Sequence, residues 1–160
     1  MSKKSHGAVA FVTRPNNVGP YVPGGVVGAI MEFPGAGPAQ GEALITSVAL
    51  EIDTATFVAG MAGFRLYLYG AIPPSAFTDA VVWDLLLAAD RAAYLGFVDL
   101  GTPADLGSTL YVESNMVNKQ ITMPGNPAGT LWGYLVTVAG FIPAAQIVHK
   151  VTIHTVDLDT

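Results

Sequence analysis

Three histidines, six serines and two close pairs of carboxylates are the side chains in this chain that could do chemistry. His149 and His154 are five residues apart. On one regular strand they point to opposite faces and could share a metal only across a bulge, so both are expected to be structural. His6 lies close to the N-terminus. Glu51 with Asp53, and Asp157 with Asp159, are each two apart. On a strand each pair shares one face, a geometry that a glycan hydrolase or a calcium ion can use and that a solvated strand edge also produces. Serine catalysis needs a hydroxyl beside a base. None of Ser2, Ser5, Ser47, Ser75, Ser108 and Ser114 sits in a G-x-S-x-G elbow. The run Gly35-Ala-Gly-Pro-Ala-Gln-Gly41 is spaced G-x-G-x-x-x-G and contains Pro38, which does not fit a dinucleotide loop. The expectation is a non-enzyme with no cofactor and no metal.

Aromatic residues are the other candidates. Tyr67 and Tyr69 fall on the polar side of an alternating segment, and Trp132 and Tyr134 share a face of theirs. Such a ladder, if exposed, suits stacking on sugar rings or anchoring a protein interface. Burial is the competing expectation, above all for Trp132.

The elements that must position these residues read as strands. Val48, Leu50 and Ile52 alternate with polar neighbours, as do Phe64, Leu66 and Leu68 with Arg65, Tyr67 and Tyr69. Period two is the signature of a strand with one buried face. Further strand candidates cover 8–13, 26–33, 94–100, 109–113, 119–123, 131–138 and 147–158. Gly and Pro punctuate them, densely in 14–25 and 34–41. Only 79–93 (DAVVWDLLLAADRAA) has helical composition, so one short helical segment is expected near 80–92. Short strands at regular spacing predict an all-β fold, a β-sandwich of jelly-roll type. Residues 1–7 read as a flexible N-terminal arm, and 8–160 as a single β-sandwich domain.

Composition narrows the function. Hydrophobic residues make up 51% of the 160-residue chain and charged residues 12%, against about 25% charged in ordinary soluble domains. A surface this poor in charge is expected to be covered by copies of the chain or by a partner. The net charge of −5 argues against nucleic acid, which requires clustered cations, and against anionic membranes. The longest apolar stretch, 131–147, is broken by Gly133, Gly140 and Pro143 and falls short of the ~20 residues of a spanning helix. With no cysteine, thiolate chemistry and disulfides are excluded.

A resemblance adds context. The segments Phe64-Arg-Leu-Tyr-Leu-Tyr-Gly-Ala-Ile-Pro-Pro-Ser75, Asp79 with Trp83-Asp84, Asp90-Arg-Ala-Ala-Tyr-Leu-Gly96, Gly107-Ser-Thr-Leu-Tyr-Val112, Asn118-Lys-Gln120, Leu131-Trp-Gly-Tyr-Leu-Val-Thr137 and Val151-Thr-Ile-His154 are similar to a pattern in head auxiliary proteins of tailed bacteriophages. These are the capsid decoration, or cement, proteins. The likeness spans roughly the last two-thirds of the chain. It implies a jelly-roll-like structural protein of the virion, on the outer capsid surface, that binds the major capsid protein and stabilises the shell. It also implies a homo-oligomer, with a trimer the natural geometry at three-fold positions. Capsid contacts are then expected from Lys3, Lys4, Arg14, Pro15, Asn16, Asn17 and Tyr21. The alternative is a carbohydrate-binding or host-adsorption module of head, tail or fibre, with Tyr67, Tyr69, Trp132 and Tyr134 as its platform.

Overall fold

The computed structural model describes residues 3–16 and 19–158. In chain order its elements are β1 (Ser5–Thr13), β2 (Met31–Phe33), β3 (Glu42–Ile52), β4 (Phe64–Tyr69), α1 (Ala88–Ala93), β5 (Tyr94–Leu100), β6 (Ala104–Asp105), β7 (Leu110–Thr122), β8 (Leu131–Thr137) and β9 (Val148–Asp157). They form two antiparallel sheets, ordered β1-β9-β3-β7-β6 and β2-β8-β4-β5. The fold is therefore an all-β sandwich, as the alternating sequence predicts. No described helix is long and apolar enough to cross a membrane.

The core lies between the sheets and follows from the alternation. Ala8, Ala10 and Val12 of β1, Val48, Leu50 and Ile52 of β3, and Val151 and Ile153 of β9 face Phe64, Leu66 and Leu68 of β4 and Leu131 and Leu135 of β8. A bulge between Ile45 and Ser47 resets the alternation of β3. It lets Ile45 and Val48, three apart, both point inward. The same irregularity bends β7, where Met116 and Asn118 take positive φ. The two strands expected at 109–113 and 119–123 are thus one continuous strand.

Three further expectations change. Residues 5–7 of the expected arm belong to β1, with Ser5 opposite Val156 and Gly7 opposite His154. The expected 26–33 strand shrinks to Met31–Phe33 plus a single bridge from Val26 to Val136. The cause is Gly28, whose φ of 68° turns the chain where a side chain would meet Val12 Cγ2 at 2.2 Å. The helical segment is only α1, because 79–80 form a turn and 81–83 run alongside 24–26. Val26 N donates to Val81 O, Trp83 N donates to Gly24 O, and Ala80 takes a φ of 66°. The β-branched Val81 and Val82 favour that extended form over a helix.

The stretch from 70 to 93 links neighbouring strands β4 and β5 by a long excursion over the outer face of the four-stranded sheet. Its Phe77, Trp83 and Leu85 pack on Tyr69, Tyr134 and Val136, which form a second small core.

Candidate functional site

The candidate catalytic residues are dispersed. His6 Nε2 lies 2.7 Å from Asp157, and Lys150 Nζ lies 3.2 Å from Glu51. Asp53 is exposed, and Asp159 lies outside the described residues. His149 is buried while His154 is exposed, as their odd spacing requires. Ser75 donates its hydroxyl to Asp90 at 2.5 Å. Burial works to raise the Asp90 carboxyl, yet hydrogen bonds from Ser75 and from the Leu87 amide together hold it below the usual carboxylate range. Asp90 so closes the first turn of α1. Among the described residues no group of three or more His, Cys, Asp or Glu could hold a metal ion.

The four aromatics named as a sugar platform do come together. Tyr67 pairs with Tyr134 and Tyr69 with Trp132 across β4 and β8. They lie beneath the 70–93 excursion, however, and Tyr69 and Tyr134 are buried. Trp83 stacks on Tyr67 at 3.8 Å between ring centroids and donates its indole N–H to the Tyr69 hydroxyl at 2.8 Å. Phe77 meets Tyr134 edge-on. Burial pushes the Tyr94 hydroxyl at the margin up to about 12. The rings of Tyr69 and Tyr134 are used internally, so a row of four open rings does not exist.

The expected capsid-contact residues divide. Lys3, Lys4, Pro15 and Asn16 are exposed, and Asn17 lies outside the described residues. Arg14 and Tyr21 are buried, which corrects their reading as surface contacts. Arg14 Nε lies 3.3 Å from Asp79 Oδ2, Nη1 donates to Pro143 O at 2.7 Å, and Nη2 donates to Gly19 O. Its guanidinium also lies 4.5 Å from the Tyr21 ring centroid. Asp79 Oδ1 accepts from the Tyr21 hydroxyl at 2.7 Å and from Gly28 N at 2.8 Å. Burial and the Asp79 carboxylate push the Tyr21 hydroxyl well above its ordinary range. A buried ion pair persists only when its remaining hydrogen-bonding capacity is met, and this pair meets it with groups from 14–30, 71–83 and 138–147.

Sequence reasoning missed this clamp and what it does to the surface. Apart from Tyr21, Arg14 and Asp79 are the only ionisable side chains in those three segments, and they neutralise each other inside. What the segments present outward is uncharged and partly apolar: Val22, Val81, Val82, Val138 and Ile142, the last 73% exposed. The signal was available as the absence of exposed charge from three loops, but not the fact that they meet.

His149 lies in the core beside this clamp, its ring 6.3 Å from that of Phe64. Its Nδ1 has no hydrogen-bond partner among the described residues. Burial, helped by Arg14 and opposed by an Ile147 backbone contact and Asp79, drives its pKa down to about 4.

No protein-family model matches the chain, and no curated protein matches it. Solved structures give loose superpositions. An empty particle of Kashmir bee virus at acidic pH aligns at a TM-score of 0.22 and 19% identity, over 73% of this chain and 61% of that one. The native virion of the same virus at neutral pH aligns at 0.23 and 19%, over 73% and 48%. A glycosylation-associated protein (Gap123) complex from Streptococcus agalactiae aligns at 0.21 and 13%, over 94% and 26%. The chain thus spans less than two thirds of each of these three chains.

Proposed function

We propose that this chain is a non-enzymatic structural protein of a phage virion, which binds the outer surface of the capsid and stabilises the shell. The observation that carries this is the uncharged loop surface formed by the described residues of 14–30, 71–83 and 138–147 and fixed from beneath by Arg14 and Asp79. Exposed Val22, Val82 and Ile142 on rigidly anchored loops suit a protein partner, since such a patch loses little freedom when covered. Nucleic acid would find no cations there.

The strand order supports the same reading. Sheets ordered β1-β9-β3-β7 and β2-β8-β4-β5, with most connections passing between them, are what two Greek keys rolled into a jelly roll produce. The partner in this reading is the major capsid protein. Many modest contacts repeated by shell symmetry supply the strength. The sugar-binding alternative loses support from the burial of Tyr69 and Tyr134.

The test is co-sedimentation with capsids stripped of this protein, followed by heating. The wild type should bind and raise the temperature of shell rupture. Val82→Asp and Ile142→Asp, at exposed positions, should fold normally and fail to bind. Capsids that rupture at one temperature with and without the bound protein would refute the stabilising role.

A further inference from the structure

We infer that β1 is a self-association edge, at which two copies of this chain pair antiparallel about a two-fold axis and join their five-stranded sheets. This goes beyond shell binding and replaces the three-fold arrangement with a two-fold one.

The sandwich has four sheet edges, and three carry the usual protection against edge-to-edge pairing. β6 is two residues long and ends in Asp105, and the β7 edge beyond it is kinked at Met116 and Asn118 and carries Glu113 and Lys119. β2 has three residues with Glu32 at its centre, and β5 carries Asp99 and a register break opposite Leu68 and Tyr69. β1 has nine residues, Ser-His-Gly-Ala-Val-Ala-Phe-Val-Thr, with no Pro, Lys, Arg, Asp or Glu. Its outward side chains include Val9 at 42% and Phe11 at 63% exposure.

Backbone direction fixes the register. Lys4 O accepts from Asp157 N, and Arg14 N donates to Ile147 O. Even-numbered residues of β1 therefore turn their polar groups toward β9, and Ser5, Gly7, Val9 and Phe11 turn theirs to the free edge. Thr13 is set apart because Gly28 packs against its carbonyl. The pairing that uses all four free residues places Ser5 opposite Phe11 of the second copy and Gly7 opposite Val9. The axis then passes through Ala8. Each large side chain faces a small one, and Val9 and Phe11 of both copies form one apolar strip.

The strand itself selects a second copy as the occupant, because in this register its own Ser5 and Gly7 receive the Phe11 and Val9 of the partner copy. No like charges are brought together along the seam, since the strand carries none.

The experiment is sedimentation velocity on the full chain from low to high micromolar concentration, because an edge pairing of this size gives a reversible contact. The wild type should pass from monomer to dimer. Val9→Lys should stay monomeric at every concentration with an unchanged circular dichroism spectrum. Phe11→Lys should weaken dimerisation at least about tenfold. A wild type that remains monomeric or forms trimers would overturn the inference. So would a Val9→Lys or Phe11→Lys variant that dimerises as well as the wild type.

Discussion

Arg14 Nε lies 3.3 Å from Asp79 Oδ2, across 65 residues of sequence, with both side chains only 2% exposed. This one ion pair ties the β1–β2 loop to the excursion between β4 and β5. Through Pro143 it also reaches the loop between β8 and β9. The surface we assign to shell binding owes its lack of charge to this pairing.

Breaking the pair from one side should be costly. Asp79→Ala leaves Arg14 buried without a counter-charge and frees the Tyr21 hydroxyl and Gly28 N, so a loss of about 3–5 kcal/mol is expected. Arg14→Met together with Asp79→Ala should recover part of it, since no lone charge then remains. Urea unfolding of the two single variants and the double gives the coupling directly.

Acid should weaken the fold before the carboxylates titrate. The buried His149 has its folded pKa depressed to about 4 from 6.5, so between those values the unfolded chain binds the extra proton. Stability is full above pH 6.5, falls as pH drops toward 4, and from this group falls no further below. The loss over that window is on the order of 3 kcal/mol. Unfolding midpoints at pH 7 and pH 4.5 should separate clearly for the wild type and move together in His149→Phe.

Two glycines of similar φ should respond differently to alanine. Gly28 (φ 68°) would place a methyl 2.2 Å from Val12 Cγ2, while Gly35 (φ 66°) has nothing within 4 Å. Gly35→Ala carries only the cost of the left-handed conformation, about 1 kcal/mol. Gly28→Ala adds a clash in a packed site and should lose at least about 2–3 kcal/mol. Thermal unfolding of the pair tests whether contact or conformation dominates.

Trp83 holds the 70–93 excursion by its stack on Tyr67 and its bond to Tyr69. Trp83→Ala should cost about 2–4 kcal/mol and speed amide exchange across 71–87. The five-stranded sheet should keep its protection. Equal loss of protection in both sheets would show that the excursion is not a separable layer.

Much of this fold was legible in local pattern. The alternation in β3 and β4 reports which face each residue takes, and the spacing of His149 and His154 sends one inward and one out, as observed. What was illegible depends on distant partners. Arg14 in a Pro/Gly-rich stretch reads as exposed because its partner is on another loop. Residues 79–87 have helical composition, but Val26 and Gly24 recruit their backbone into bridges. Tyr67 and Tyr69 take the outer face as their period dictates, yet that face is covered by a segment whose path no periodicity encodes.

The most direct test of shell binding is a cryo-electron microscopy reconstruction of phage particles that carry the protein. Shell binding requires density on the outer capsid surface, with 14–30, 71–83 and 138–147 seated against the major capsid protein. Density confined to tail or fibres, or a capsid-bound copy with those loops facing solvent, would contradict it.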